Sequence, residues 1–234
     1  MKTLVMIPIY NEEKNIAHVI FGVKRAYPDA DILVIDDGST DNSHKVLAGQ
    51  TRVEVIRLPA NLGIGGARQA GFKYALYNDY DVAVQLDGDG QHNAEYIKTM
   101  IEKLRDGVNL VVGSRFIRRE GFQSSFLRRM GISVIHNVIK FTTGHRITDP
   151  TSGYRVCDRR AIELFAKNYP LDYPEPESLV TASKNNLIIK EIPVTMNERL
   201  NGRSTIGAYG SVYFMIKVTL ALLIGSASKK SEAL

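Results

Sequence analysis

Five apolar runs punctuate the first half of the chain: TLVMIPI (3–9), DILVID (31–36), VEVIRL (53–58), DVAVQL (81–86) and NLVVGS (109–114). Helix-period segments over 12–26, 41–49, 64–78 and 93–106 fill the gaps between them. Short runs rich in Val, Ile and Leu suit strands buried on both faces, and helix-length connections let consecutive strands run parallel. The alternation predicts an α/β fold, a mainly parallel sheet with helices on both faces. In open sheets of this kind, ligands sit outside the carboxyl ends of the strands. Each run here ends in polar or glycine-rich residues: Tyr10-Asn11-Glu12, Asp36-Asp37-Gly38-Ser39, Asn61 to Gly66, Asp87-Gly88-Asp89 and Arg115. All of that chemistry is expected on one rim.

Beyond residue 116 the pattern changes. A basic segment leads into a predicted helix over 126–141, the turn-rich TDPTSGYR, a short helix near 158–167 and the Pro-rich NYPLDYPEPES. A strand-like NLIIKEIPV, the loop NERLNGRS and an apolar helix follow. No repeat or linker divides the chain, and 44% hydrophobic content over 234 residues supplies a core for one large domain. The expected division is a domain over 1–206, an amphipathic C-terminal helix over 207–225 and a flexible tail over 226–234. VYFMIKVTLALLI (212–224) falls short of the roughly 20 apolar residues of a spanning helix and carries Lys217. It reads as a core helix, an in-plane interfacial helix or a surface for a small membrane partner. At the other end, Pro8 and the Glu12–Glu13 pair arrive too early for a secretory leader, so MKTLVMIPIYNEE reads as a first strand. The lone Cys157 excludes an intramolecular disulfide and a cysteine-based metal cluster, as expected of a reducing compartment.

The run NLGIGGARQAG carries Gly63, Gly65 and Gly66 at a helix start, but it departs from a dinucleotide fingerprint. It follows the third strand, and counting G-x-G-x-x-G from Gly63 puts Arg68 in the last glycine slot. The run reads as a turn that brings backbone to a ligand near Gly65 and Arg68, or as a plain helix-start loop. In DDGSTDNS (36–43), a helix cap explains Thr40 to Ser43 but leaves two adjacent carboxylates at a buried strand end. Carboxylates accept hydrogen bonds from base N–H groups and ribose hydroxyls, so a nucleotide is the expected occupant at Asp37.

QLDGDGQH (85–92) poses the same problem more sharply, because Asp87 and Asp89 repel one another unless something compensates them. A calcium loop fails: His92 fills its glycine slot and Lys98 its terminal glutamate slot. A plain turn with local Asp hydrogen bonds gives no reason for two acids there. A Mg2+ or Mn2+ ion does, held by one or two carboxylates and completed by water and substrate phosphates, with Gln91 as a further oxygen donor.

The blocks IPIYNEE, VIDDGSTDNS, NLGIGGARQAG, QLDGDGQH and VVGSRF, in this order, resemble the family 2 glycosyltransferases of the GT-A (Rossmann-like) fold over residues 1–116. SGYR (152–155) and EIPVTMNERLNGRS (191–204) are similar to the branch that glycosylates polyprenyl phosphates, the dolichyl-phosphate mannose synthase-like enzymes. The resemblance implies a metal-dependent, inverting transfer from a nucleotide-diphosphate sugar to a polyprenyl (undecaprenyl) phosphate. It implies Pro8, Tyr10 and Glu12 around the nucleotide, Asp37 on base or ribose, and Asp87, Asp89 and Gln91 at the metal. Arg199 and Ser204 would reach the donor diphosphate. Mannose synthases of the branch carry a lysine after that serine, where this chain has Thr205 with Arg203 nearby, which favours a UDP-sugar donor.

Arg115, Arg118, Arg119, Arg128, Arg129, Lys140 and Arg146 face a single acid, Glu120, over 115–146. This is either a solvated basic face or a surface for an acceptor phosphate (Arg115, Arg118, Arg128) and anionic lipid headgroups. A lipid phosphate is already ionised and can attack without a base. A sugar hydroxyl, as in extension of a cell-surface polysaccharide, needs one, for which Glu175 or Glu177 qualifies. Asp89, Glu177 and Arg199 are the expected catalytic residues. The expected location is cytoplasmic, on the inner face of the cell membrane, with a homo-oligomer compatible. Nucleic acid is not an expected partner, since the basic stretch lacks aromatic interleaving. A non-catalytic nucleotide-binding scaffold stays open as a reading of another class.

Overall fold

The computed structural model describes residues 1–118, 126–198 and 217–222. Strands β1 (Thr3–Ile9), β2 (Asp31–Asp36), β3 (Glu54–Arg57), β4 (Val82–Gln85), β5 (Leu110–Ser114), β6 (Arg155–Asp158) and β7 (Ile189–Pro193) form one seven-stranded sheet in the order β3-β2-β1-β4-β6-β5-β7. β1 pairs in parallel with β2 and β4, β2 with β3, and β5 with β7, while β6 runs antiparallel to β4 and β5. The mainly parallel α/β sheet expected from the alternation is therefore present. Because β6 reverses twice, β5 points the same way as β4. Register places Ile9 beside Asp36 and Asp36 beside Arg57, so the carboxyl ends share one rim.

Helices α1 (Ile16–Ala26), α2 (Ser43–Ala48), α3 (Gly63–Tyr77), α4 (Tyr96–Leu104), α5 (Phe126–Thr143), α6 (Arg159–Lys167) and α7 (Pro174–Lys184) cover the sheet. Side chains alternate along a strand, and here they feed two separate cores. Leu4, Met6, Leu33, Ile35, Ala83, Leu110 and Val112 pack with Phe72 of α3, Ile135 and Ile139 of α5, Phe165 of α6 and Leu179 of α7. Val5, Ile7, Ile32, Val34, Val82, Val84 and Val111 face the other way, onto Ile16, Val19, Ile20 and Val23 of α1 and Ile97, Met100 and Ile101 of α4. Each fully buried side chain of this kind contributes about 1.5–3 kcal/mol. Phe72 anchors the first layer, with ring centroids 5.2 Å from both Phe165 and Tyr169.

Two elements were not anticipated. β6 arises from the end of the turn-rich segment, and α7 from the Pro-rich one. Pro174 and Pro176 fall in the first turn of α7, where a helix needs no amide donor, so they start a helix instead of breaking one. The apolar C-terminal segment is described only over 217–222, a helical stretch in which Val218 and Leu222, one turn apart, are buried in the first core. Among the described residues no helix is long and apolar enough to cross a membrane.

Candidate active site

The ends of β1 and β2 are laced together by short polar side chains. Asn11, with a positive φ of 58°, accepts at Oδ1 from the backbone N–H groups of Thr40 (2.8 Å) and Asp41 (3.2 Å). Ser39 Oγ accepts from Asn11 N at 3.0 Å. Asp36 accepts from Ser39 N at 2.8 Å and lies 3.5 Å from Arg57 Nε, so its charge is compensated inside the protein. Asp37 accepts from Leu62 N at 2.7 Å, tying the β2 end to the start of α3. Burial pushes its carboxyl up, against the lowering pull of the Leu62 and Gly63 amides. Pro8 is buried in β1, Tyr10 stands 47% exposed at the rim, and Glu12 accepts from Asn15 Nδ2 at 2.6 Å.

The end of β4 is organised around a buried guanidinium. Arg68 of α3, only 2% exposed, donates from Nη2 to Asp87 Oδ1 at 2.9 Å and from Nη1 to Glu175 Oε1 of α7 at 2.5 Å. Burial works against the Arg68 charge, but Glu175 and Asp87 outweigh it and hold the group protonated. His92 Nδ1 accepts from Asp87 N at 3.0 Å, which places the ring proton on Nε2, 3.6 Å from Asp87 Oδ2. The His92 ring stacks on Tyr154 at 4.9 Å, and burial pushes its basicity down. For Asp87, burial opposes ionisation, yet His92, Arg68 and Arg115 together hold its carboxyl below the ordinary range. Asp89 Oδ1 accepts from Gln91 N at 3.0 Å. Gly153, from SGYR, closes the cluster: a Cβ there would lie 2.6 Å from Arg68 Nη2 and 2.9 Å from Asp87 Oδ2. The arginine of the same motif, Arg155, donates to Ser178 Oγ (2.5 Å) and the Glu175 carbonyl (2.6 Å), pinning the start of α7 to β6.

Several expected site residues have other company. Gly65 faces backbone, since a Cβ there would be 2.4 Å from the Leu171 carbonyl oxygen. Arg115 sets its fork on Asp149 (2.6 and 2.7 Å) and reaches Thr151 Oγ1 at 2.9 Å. Asp149 is in turn fixed through its amide, which Glu191 of β7 accepts at 2.8 Å. Arg118 is exposed, and Arg128 lies in α5 with its side chain outside the described residues. Arg199 and Ser204 also lie outside them. Glu177 is half-buried near the start of α7, where burial and Asp172 push its carboxyl up. Gly153, Asp149 and Glu191 were not among the expected site residues, although the blocks TDPTSGYR and EIPVTMNERLNGRS contain them.

No group of three or more His, Cys, Asp or Glu residues among those described could form an all-protein metal cage. The Asp87, Asp89 and Gln91 oxygens instead suit a hard cation that keeps water and takes phosphate oxygens from a ligand. These residues therefore fit Mg2+ or Mn2+.

The Glycosyl transferase family 2 model matches residues 4–165. The chain is 32% identical over 229 residues to polyprenol monophosphomannose synthase of Mycolicibacterium smegmatis, covering 93% of this chain and 85% of that protein. It is 31% identical to the UDP-N-acetylglucosamine–dolichyl-phosphate N-acetylglucosaminyltransferase of Methanococcus voltae, covering 81% of this chain and 83% of that protein. Glucosyl-3-phosphoglycerate synthase from Mycobacterium tuberculosis, solved with Mn2+, UDP-glucose and phosphoglyceric acid, shares the fold at a TM-score of 0.72 and 18% identity, over 98% of this chain and 81% of that one.

Proposed function

Because the chain belongs to Glycosyl transferase family 2, we propose that it moves a hexose or N-acetylhexosamine from a nucleotide-diphosphate sugar onto a polyprenyl phosphate. The observation that carries this reading is the Asp87–Asp89 pair at the carboxyl rim, with Asp87 kept ionised beside Arg68. The two relatives differ in the sugar that their names give, yet both names specify a polyprenol-type acceptor. A UDP-sugar is the favoured donor.

In this reading Asp37 and the Tyr10 rim receive the nucleoside, with Pro8 and Glu12 shaping that end. Asp87, Asp89 and Gln91 would hold Mg2+ or Mn2+, which would supply positive charge to the departing nucleoside diphosphate. Arg199 and Ser204 would add contacts to the same diphosphate. The acceptor phosphate, already ionised, needs no base: its oxygen forms a bond to the anomeric carbon as the bond to the donor diphosphate breaks, with inversion. Since the fork of Arg115 is taken by Asp149, recognition of the acceptor phosphate falls to Arg118 and Arg128. An acceptor of this kind puts the protein at a membrane surface, on the cytoplasmic side.

Transfer of sugar from UDP- and GDP-sugars to a short polyprenyl phosphate, with and without Mn2+, tests the reading. Asp89→Ala should reduce transfer at least about a hundredfold with the fold intact, the scale of losing a principal electrostatic group. A fully active variant overturns the cation site. The raised carboxyl of Glu177 favours one second reading, a hydroxyl acceptor with Glu177 as general base. If Glu177→Gln abolishes transfer while donor binding persists, that reading replaces the first. Glu175 is less suited to the role, because its carboxylate is engaged by Arg68.

A further inference from the structure

Arg68 stands between two carboxylates on different elements, 2.9 Å from Asp87 and 2.5 Å from Glu175. Its Nε is buried without a hydrogen-bond partner among the described residues, a cost the two ion pairs must offset. The glycine at 153 leaves just enough room for Arg68 Nη2 and Asp87 Oδ2. The guanidinium is therefore locked in place, touching a carboxylate that a cation would also use.

We propose that Arg68 is an internal counter-cation that competes with the divalent cation for Asp87, and that Glu175 sets the strength of this competition from the far side of the guanidinium. The inference rests on the cation reading above. Its logic is one of charge. With both acids present, Asp87, Arg68 and Glu175 together add one net negative charge to that of Asp89, and a cation approaching Asp87 is drawn by both. Neutralising Glu175 leaves an Arg68–Asp87 pair of zero net charge, so that only the Asp89 charge remains and the attraction weakens. Removing the Arg68 charge leaves two acids, and the attraction grows. Glu175 is thus a positioning residue: it acts on the cation through Arg68, without touching donor or acceptor.

The two substitutions should move cation affinity in opposite directions, whereas loss of a merely structural contact would weaken it in both. The test is titration of the full chain with Mn2+ alone and with Mn2+ plus UDP, reading free Mn2+ by electron paramagnetic resonance. Glu175→Gln should weaken Mn2+ binding by about tenfold and Arg68→Met should tighten it by about as much, the scale of one unit charge acting through a partly screened interior. Far-UV circular dichroism checks each variant's fold. If Arg68→Met does not fold, Glu175→Gln decides alone, since its carboxylate is partly exposed and the substitution keeps its shape. Unchanged or tighter binding in Glu175→Gln, or weaker binding in a folded Arg68→Met, overturns the inference while the cation site stands. Wild-type protein that takes up no Mn2+ even with UDP present removes the cation site itself, and this inference with it.

Discussion

Asp41 draws two rim loops together, accepting at Oδ2 from Glu13 N (3.1 Å) and at Oδ1 from Ser43 N (2.9 Å). Burial alone would raise its carboxyl, but the hydrogen bonds from Ser43 and the backbone amides outweigh it, and the net shift is downward. The sign of the pH dependence follows. The folded state binds fewer protons at this site than the unfolded chain, so the stabilisation is fully present above the unfolded value of about 3.9 and is lost as pH falls through the depressed folded value. Asp41→Asn should therefore cost up to about 1 kcal/mol at neutral pH, given its partial exposure, and the gap from wild type should close in acid. Urea melts of both proteins across the acid range measure it; a gap that stays constant with pH would detach the effect from ionisation. The same local grammar made Asp36, Asp37, Asp87 and Asp89 legible from sequence, because a carboxylate after an apolar run stands out. Their partners were not legible. Arg68 meets Glu175 across 107 positions, and no local pattern marks such a pairing.

At the scale of elements, hydrophobic period gave β1 through β5 and α1 through α4 to within a few residues, since β1, β2, β4 and β5 are buried apolar runs, and only the edge strand β3, Glu54–Arg57, is largely exposed. β6 escaped because its four residues follow a turn and draw their stability from β4 and β5 on either side. α7 escaped because the Pro-rich segment shows no helical stripe ahead of it, and its prolines mark a helix start only once they fall in the first turn. Both missed elements build the site: β6 begins at Arg155 just past Gly153, and α7 carries Glu175. Gly65 belongs to this scale too. A methyl group there would sit 2.4 Å from the Leu171 carbonyl oxygen and 2.6 Å from that of Pro170, atoms of backbone that cannot swing aside. Gly65→Ala should push α3 off the loop leading to α7 and destabilise the fold by about 1–3 kcal/mol, as overpacking does. Chemical denaturation reads the loss. If stability is unchanged and donor binding alone fails, Gly65 touches the nucleotide sugar after all.

For the molecule as a whole, the sheet itself supplies a reporter of cooperative opening. Cys157 is the chain's only cysteine, lies in β6 with strands on both sides, and is fully buried in the first core. Burial also pushes its thiol well above the ordinary range, so the reactive thiolate is scarce in the folded state. Exposing Cys157 requires lifting the helices of the first core off the sheet or parting β6 from its neighbours, and either opens the core that Phe72, Ile162 and Phe165 share with it. Alkylation of the native protein should then proceed only through global unfolding, and its rate should rise with urea along the same slope as the unfolding equilibrium. A rate indifferent to urea would instead place a local opening at β6. Because a ligand that binds only the folded rim draws the equilibrium away from the open state, UDP with Mn2+ at about a hundred times its dissociation constant should stabilise the fold by about 2.7 kcal/mol. The same concentration should slow alkylation of Cys157 by about a hundredfold if labelling follows the unfolded population. No slowing at saturating ligand, with urea sensitivity intact, would mean that the rim does not hold the nucleotide.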